Sequence, residues 1–147
     1  MVDIGPKPVT RRRAVATGEV ALGAAAWKVL KSGRAAKGDV LGVARLAGIQ
    51  AAKRTAELIP LCHPVALTQV TVTLSPSARG RCVRIRAEAR CEGRTGVEME
   101  VLVAVALAAL TVYDMLKGVD RSITIGPIAL EAKTGGKSGP WRRSGTA

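Results

Sequence analysis

The longest apolar stretch of the chain, residues 95–118, carries polar side chains only toward its two ends. No charged residue occurs between Val101 and Tyr113, and Glu100 and Asp114 bracket that segment. Such a segment could be a membrane span, but it is short for one and is closed by carboxylates on both sides. The pattern therefore predicts a long helix of six to seven turns in the core of a folded domain.

Both ends of this predicted helix carry termination signals. Thr95 and Glu98 have the spacing of a capping box, in which a hydroxyl and a carboxylate satisfy the first free N–H groups. Lys117 followed by Gly118 fits a C-terminus, with a cation near the negative dipole end and a residue that tolerates positive φ.

The length of the helix limits which of its side chains can share a ligand. Glu100 and Asp114 are 14 positions apart, which corresponds to roughly 21 Å along a helix axis. One small molecule cannot easily contact both in the same copy. Either one end alone is functional, or a site combines the start of this helix from one subunit with its end from another.

Alternating apolar and polar positions predict strands on both sides of the long helix. The segments are 14–22, 65–74, 82–91 and 122–133, with a hairpin turn at 75–80 between the second and third. The alternation in 82–91 is so regular that its charged face is expected in water. In the last segment, Gly126 and Pro127 indicate an edge position or a bulge.

Two helices are predicted between the first and second strands. A short one at 24–30 is closed by Ser32 and Gly33, and a longer one begins at Asp39 as its cap and runs to about Leu58. The element order predicts an α+β fold, the ferredoxin-like split βαβ pattern, with an antiparallel sheet, helices on one face and one extra short helix. Residues 1–147 form one domain in this prediction, with an extended arm at 1–9 and a mobile tail at 134–147.

The composition indicates an anionic partner. The net charge is +12, and aromatic residues make up only 2% of the chain, with no Phe. Polyphosphate, nucleic acid or an anionic surface would suit this charge. Three cysteines predict free thiols in a reducing compartment, and the N-terminus has no signal-peptide pattern, so a cytoplasmic location is expected.

Two short motifs are poor matches to known binding sites. The segment 133–138 is rich in Gly and Lys, but Glu131 stands where a phosphate-binding loop needs its first Gly, and no helix follows. Cys62 and His63 are adjacent, a poor spacing for chelating one metal ion, so no metal site is predicted. His63 lies between two prolines in a rigid loop, which leaves a structural and a functional role about equally favoured.

Several charged residues allow two interpretations. Asp114 and Lys117 share a helix face and form either a surface ion pair or a proton-transfer pair in a partly desolvated cleft. Lys37 precedes a helix start, where it could meet an anion, although spacing alone favours an exposed loop lysine. The cluster 11–13 is either a solvated face or an anion contact. Glu100 has no evident capping role and is a candidate ligand contact.

Four stretches together are similar to one family. They are 37–55 with Lys-Gly-Asp and Ala-Gly-Ile-Gln-Ala-Ala-Lys-Arg-Thr, 58–64 with Leu-Cys-His-Pro, 95–117 with Gly-Val-Glu-Met-Glu and Tyr-Asp-Met-Leu-Lys, and 133–139. From about residue 1 to 139 the chain resembles the molybdenum cofactor biosynthesis protein C family, cyclic pyranopterin monophosphate synthase. The resemblance implies a lyase that converts 3′,8-cyclo-7,8-dihydroguanosine triphosphate to cyclic pyranopterin monophosphate and releases diphosphate.

The resemblance also implies roles for individual residues. Asp114 and Lys117 match the catalytic acid–base pair. The positions that match substrate contacts or phosphate-binding cations are Leu61, Cys62, His63, Met99, Glu100, Lys7, Arg12, Lys37, Lys53 and Lys133. The family forms a homohexamer, a trimer of dimers with sites between subunits, and needs no redox cofactor. A divalent cation on the substrate phosphates is compatible with this chemistry.

Two other functions compete with this interpretation. A basic ferredoxin-like sheet could bind RNA, but such sheets stack bases on exposed aromatic residues, which the predicted strands lack. Salt-dependent retention on generic RNA separates the two, because only a binding module should show a steep slope. A purely structural oligomer would leave the polar ends of the long helix and the proline-framed His63 unexplained. Neither a nucleic-acid nor a membrane partner is therefore expected.

Overall fold

Five strands and four helices make up the part of the chain that the computed structural model describes, residues 1–144. In order they are β1 (Thr10–Ala21), α1 (Ala24–Ser32), α2 (Val40–Lys53), α3 (Thr55–Leu58), β2 (Leu67–Ser77), β3 (Cys82–Gly93), α4 (Glu98–Leu116), β4 (Thr124–Thr134) and β5 (Trp141–Arg142).

The strands form one antiparallel sheet in the order β2-β3-β1-β4-β5. Without β5 this is the order of the ferredoxin-like fold, so the predicted α+β class and split βαβ pattern are confirmed. No strand was predicted at β5, which lies inside the predicted tail and pairs with Ala132 and Lys133 of β4. The last three residues of that tail, 145–147, lie outside the described residues.

The core lies between the sheet and the helices. Alternate residues of β1 and β3 face the helices, and Ala16, Val83 and Ala87 are completely buried there. Helix α4 packs over the central strands and against α2. Gly48 of α2 permits this close approach, because a Cβ at that position would crowd the carbonyl oxygen of Ala104. Small side chains therefore replace the missing aromatics by letting the layers approach closely.

The predicted start of the long helix is wrong, whereas its predicted carboxyl end is right in position but not in backbone geometry. Helix α4 begins at Glu98, with Val97 in the N-cap position and no side-chain cap hydrogen bond, so Thr95 and Glu98 do not form a capping box. The backbone of Val97 is not extended there (φ −121°, ψ 26°), a conformation unlike the usual capping one. At the other end Lys117 takes the C-cap position with right-handed helical geometry, and no left-handed Gly118 is required.

The shorter helices follow their predicted signals closely. Helix α1 ends at a left-handed Gly33 (φ 66°), and the carboxylate of Asp39 accepts a hydrogen bond from the Gly42 N–H at 3.0 Å, as an N-cap should. The helix after Asp39 does not run unbroken to Leu58, however. It stops at Lys53, and Arg54 (φ −113°, ψ 15°) separates it from the single turn α3.

Strand β4 contains the predicted irregularity. Its pairing with β1 shifts register twice, once between Gly18 and Val20, opposite the segment that holds Pro127. The bulge is therefore confirmed. The predicted edge position is confirmed for most of β4. The short strand β5 pairs only with Ala132 and Lys133, near the carboxyl end of β4.

The face of the sheet turned away from the helices, here called the open face, is rich in arginine and holds one nearly buried carboxylate. The Glu88 side chain is only 11% exposed. Arg13 binds it through two hydrogen bonds of 2.7 Å, and Arg86 and Arg90 each add a contact at 3.0 Å. The expectation that the whole charged face of β3 meets water is wrong at Glu88, because cross-strand guanidinium groups cover it.

We expect Glu88→Gln to lower the free energy of unfolding by roughly 2 kcal/mol at neutral pH. The hydrogen bonds from Arg13 are the main reason that the pKa of Glu88 falls from 4.5 to about 2. A carboxyl whose pKa is depressed on folding stabilises the protein above its unfolded pKa, and that stabilisation is lost as the pH falls from about 4.5 toward 2. The partly exposed arginines reduce the effect.

Urea unfolding measured between pH 2 and 7 checks this expectation. The wild-type chain should lose stability in that acidic window, and Glu88→Gln should lose correspondingly less. Glu92→Gln, an exposed position farther along the same strand, serves as the control and should behave like wild type. Equal acid sensitivity of the wild type and Glu88→Gln would contradict a stabilising role for this cluster.

Among residues 1–144, α4 is the helix long and apolar enough to cross a membrane, judged by length and composition. The expectation that this helix is too short to span a membrane is therefore wrong. The packing of α4 argues against a membrane span instead, because 56% of its most apolar 18-residue segment is buried inside the protein. These are the properties of the core helix of a folded domain.

Candidate active site

A carboxylate held between two lysines lies at the carboxyl end of α4. The Asp114 Oδ1 atom is 2.7 Å from Lys117 Nζ, and its Oδ2 atom is 2.5 Å from Lys37 Nζ. Lys37 also donates to the Asp114 carbonyl oxygen at 3.2 Å. The three side chains are each about half exposed, so this site is open to solvent and not the desolvated cleft that the sequence suggested.

These contacts stabilise the ionised form of the Asp114 carboxyl group. The hydrogen bond from Lys117, followed by that from Lys37, lowers the pKa of Asp114 to about 2. The same ion pair raises the pKa of Lys117. At neutral pH, without substrate, Asp114 is therefore ionised, and it is a weak base as long as both lysines bind it. The neighbouring ammonium groups can donate protons.

A second carboxyl group, Glu100, lies at the amino end of α4 and is buried, with only 2% of its surface exposed. Its Oε1 atom accepts a hydrogen bond from the Cys62 thiol at 3.9 Å. Among the described residues, its Oε2 atom has no hydrogen-bond partner. Burial is the main cause that raises the pKa of Glu100, and it likewise raises the pKa of Cys62. A buried oxygen without a partner is suited to receive a polar group of a ligand.

Close to that end of α4 is a basic cavity of about 780 Å³. It is lined by Pro6, Lys7, Pro8, Arg12, Arg94, Thr95, Gly96, Lys137 and Ser138. Lys133 extends the cluster, because its ammonium group donates to the Ser138 hydroxyl. The structure thus brings together three of the predicted cations, Lys7, Arg12 and Lys133.

Arg94 and Lys137 also line this cavity but were not among the predicted site residues. Sequence reasoning could have found Lys137 from the Gly-Gly-Lys motif. Arg94 carried no such signal. The tail lies directly on β1, and a Cβ at Gly136 would collide with the Arg12 guanidinium. Arg12 in turn donates to the carbonyl oxygens of Gly93 and Arg94 at 3.3 Å each, so the packing of the tail and the loop before α4 fixes its position.

The remaining predicted residues lie in different surroundings. Leu61 is 73% exposed and Met99 36% exposed. Leu61 precedes the partly buried Cys62, and Met99 precedes the buried Glu100. His63 is partly buried in the loop before β2. Lys53 lines a separate cavity of about 560 Å³ between α2 and β2. Within a single chain, Lys53 therefore lies outside the basic cavity. Asp114 and Glu100 lie at opposite ends of α4.

The outer surface of α4 connects the two ends. Met99 and Leu110 are 36% and 52% exposed, and Leu102, Ala106 and Tyr113 are partly exposed. These five residues follow the helical repeat and form one apolar row, here called the α4 stripe. The row runs from the end that holds Glu100 to the end that holds Asp114.

Within residues 1–144, no group of three or more His, Cys, Asp or Glu side chains is arranged to hold a metal ion. The three cysteines are free thiols, and Cys82 and Cys91 are buried.

Comparison with known proteins gives a consistent result. A model of the MoaC family matches residues 1–136. The chain is 59% identical over 143 residues to the cyclic pyranopterin monophosphate synthase of Thermomicrobium roseum, covering 97% of this chain and 86% of the relative. It is 54% identical over 147 residues to the enzymes of the same name from Chloroflexus aggregans and Brucella ovis, covering all of this chain and 89% of each relative.

Proposed function

The chain belongs to the MoaC family, and we propose that it catalyses the formation of cyclic pyranopterin monophosphate in molybdenum cofactor biosynthesis. The substrate is 3′,8-cyclo-7,8-dihydroguanosine triphosphate, and diphosphate is released, which makes the enzyme a lyase. The observation that carries the proposal is the Asp114 carboxylate, held 2.7 Å from Lys117 and 2.5 Å from Lys37 at an open helix end.

The reaction needs protons to move rather than electrons. Opening the five-membered ring of the purine, closing a new ring and forming a cyclic phosphate all transfer protons between heteroatoms. Lys117 is the proton donor of the pair, and Asp114 is its acceptor. Because the triphosphate competes for Lys37, substrate binding removes one of the two cations from Asp114 and makes this carboxylate a stronger base.

The basic cavity suits the triphosphate. Lys7, Arg12, Arg94 and Lys137 line its volume of about 780 Å³, and Lys133 contacts Ser138 in the lining. A triphosphate carries roughly three to four negative charges, which such a cluster can attract and orient. The buried Glu100, with its unpartnered oxygen, is suited to accept N–H groups of the purine ring. In the same proposal, His63, Leu61 and Met99 contribute further substrate contacts from outside this cavity.

We further propose that a complete site uses two copies of the chain. Glu100 and Asp114 are roughly 21 Å apart along one helix, too far for one small substrate to contact both. An antiparallel second copy packed against the α4 stripe would bring the amino end of one α4 beside the carboxyl end of the other. This arrangement also covers Leu110, which is 52% exposed in one chain.

The resemblance to the family extends this pair to a homohexamer, a trimer of dimers. A cytoplasmic location and the absence of a redox cofactor are part of the same proposal. Lys53 belongs to the phosphate-binding cations in this scheme, contributed from its separate cavity between α2 and β2.

The test is an assay with the cyclic triphosphate and the purified protein. We expect diphosphate and the cyclic pterin monophosphate in equal amounts, quantified by chromatography. Retention on generic RNA, measured across a salt series in parallel, should be weak. No product together with steep, salt-dependent RNA binding would favour the nucleic-acid-binding function and overturn the proposal.

Lys37→Ala should raise KM by roughly 10- to 100-fold, the effect of losing one charge-assisted contact to phosphate. The melting temperature should change little, because Lys37 is half exposed and its ion pair faces solvent. Arg34→Ala, an exposed position in the same loop, is the matched control and should keep normal kinetics. A large fall in melting temperature with unchanged kinetics would make Lys37 a structural residue.

A further inference from the structure

The open face of the sheet contains a second, smaller basic cavity. Its volume is about 260 Å³, and its lining includes the guanidinium-bearing residues Arg13, Arg86, Arg142 and Arg143, beside Val15, Glu131 and Ala132. Neighbouring residues of a strand point to opposite faces, so β1 directs Arg12 toward the candidate active site and Arg13 toward this cavity. None of its residues belongs to the proposed catalytic machinery.

Glu88 behind the cavity and Glu131 in its lining help to hold three of its four arginines in place. Glu88 binds Arg13 through both Nε and Nη2 at 2.7 Å and binds Arg86 at 3.0 Å. On the other side, Arg143 Nε donates to the Leu130 carbonyl oxygen at 2.9 Å and lies 3.9 Å from Glu131. These contacts occupy only some of the five N–H donors that each guanidinium carries. The remaining donors are available to a ligand at a site whose geometry is already set.

The charge of the cavity is unbalanced. Four arginines and one carboxylate, Glu131, line it, and Glu88 behind it is shared by Arg13, Arg86 and Arg90. Moreover, Arg13 stands directly opposite Arg90 in the paired strand, and like charges in that position are destabilising. The arginines therefore exceed the carboxylates by three charges, which is sufficient to attract a dianion.

We propose that this cavity binds a small phosphate dianion, either inorganic phosphate or the phosphate group of a monoester. Planar guanidinium forks match phosphate oxygens in pairs, which gives geometric selectivity as well as attraction. A volume of about 260 Å³ is below the roughly 300–1,000 Å³ of sites for drug-sized ligands and is sufficient for one phosphate group. The bound dianion joins β5, through Arg142, to the central strands β1 and β3.

The test is a titration of the full-length protein in its native assembly, at pH 8, monitored by the Nε–H resonances of its arginines. Inorganic phosphate should shift the signals of Arg13, Arg86 and Arg142 along one saturable curve. Because the readout is specific for each residue, phosphate bound in the active-site cavity is detected separately, at Arg12. The result therefore does not depend on whether the proposed enzymatic function is correct.

Variants with a matched control complete the test. Arg142→Gln should raise the dissociation constant reported by Arg13 by about tenfold or more, and Arg86→Gln should do the same. Arg84→Gln changes an exposed arginine on the same strand and face that does not line the cavity, and it should leave binding unchanged. Arg142 does not contact Glu88 in the described hydrogen-bond network, so its variant isolates ligand binding from folding.

A second arm separates the two sources of phosphate. Glycerol 3-phosphate that binds at least as tightly as inorganic phosphate would identify a monoester site, and weaker binding would identify a site for the free anion. Shifts that grow linearly without saturation, or that are equal at Arg84 and Arg142, would show nonspecific ion pairing and overturn the proposal.

Discussion

We expect Asp114→Asn to lower the turnover number by roughly 10²- to 10⁴-fold, the usual contribution of a positioned general acid–base group. The amide is nearly the same size as the carboxylate but cannot accept a proton. It also loses the charge that attracts Lys37 and Lys117, whose ammonium nitrogens lie 2.5 and 2.7 Å from the carboxylate oxygens. Since the side chain is about half exposed, the fold and the assembly should remain intact.

The measurement is single-turnover kinetics with circular dichroism and light scattering on the same samples. Lys117→Ala should lose activity in a similar way, whereas a raised KM alone would make Lys117 a phosphate contact. Asp39→Asn is the matched control, because Asn can also cap α2, and it should retain normal turnover. A near-normal rate for Asp114→Asn would remove Asp114 from the mechanism.

We expect Leu110→Lys to separate the subunits of the proposed dimer and, as a consequence, to abolish most activity. Leu110 lies on the α4 stripe and is 52% exposed in the single chain, so the substitution leaves the core of the domain unchanged. Lys is also a good helix former. Across a two-fold axis the change places two ammonium groups in an apolar contact, and we expect subunit affinity to fall by about 30-fold or more, as for loss of an interface hot spot.

Analytical ultracentrifugation across a range of protein concentrations measures this effect, with activity assayed at each concentration. Activity should return as higher concentration restores the assembly. Leu110→Met keeps the stripe apolar and should match the wild type. A Leu110→Lys protein that is fully active as a monomer would show that one chain holds a complete site.

Local signals along the sequence were sufficient for most of the fold. Strict alternation in 82–91 predicted β3, and Gly33 and Asp39 marked helix boundaries that the structure contains. The failures arose where a distant contact outweighed a local pattern. Glu88 looked like a solvated residue of an alternating strand, but Arg13, 75 positions away in the chain, covers it.

The candidate site was predictable as a set of residues but not as an arrangement. Nothing in the spacing joins Lys37 to Asp114, which are 77 positions apart and meet only because α2 and α4 pack together. The capping box was wrong because α4 begins after Val97, whose backbone does not have the usual extended capping conformation. In contrast, the separation of Glu100 and Asp114 followed directly from helix geometry.

Subunit complementation tests the composite site most directly. Asp114→Asn and Glu100→Gln chains, each inactive alone, are mixed in equal amounts and allowed to exchange subunits. In a two-fold dimer about a quarter of the sites should then contain both intact residues, so about a quarter of wild-type activity should return. Asp114→Asn mixed with Lys117→Ala should not recover, because both changes lie at the same end of α4. No recovery in the first mixture, despite proven exchange, would place both residues in the site of one chain and contradict the account.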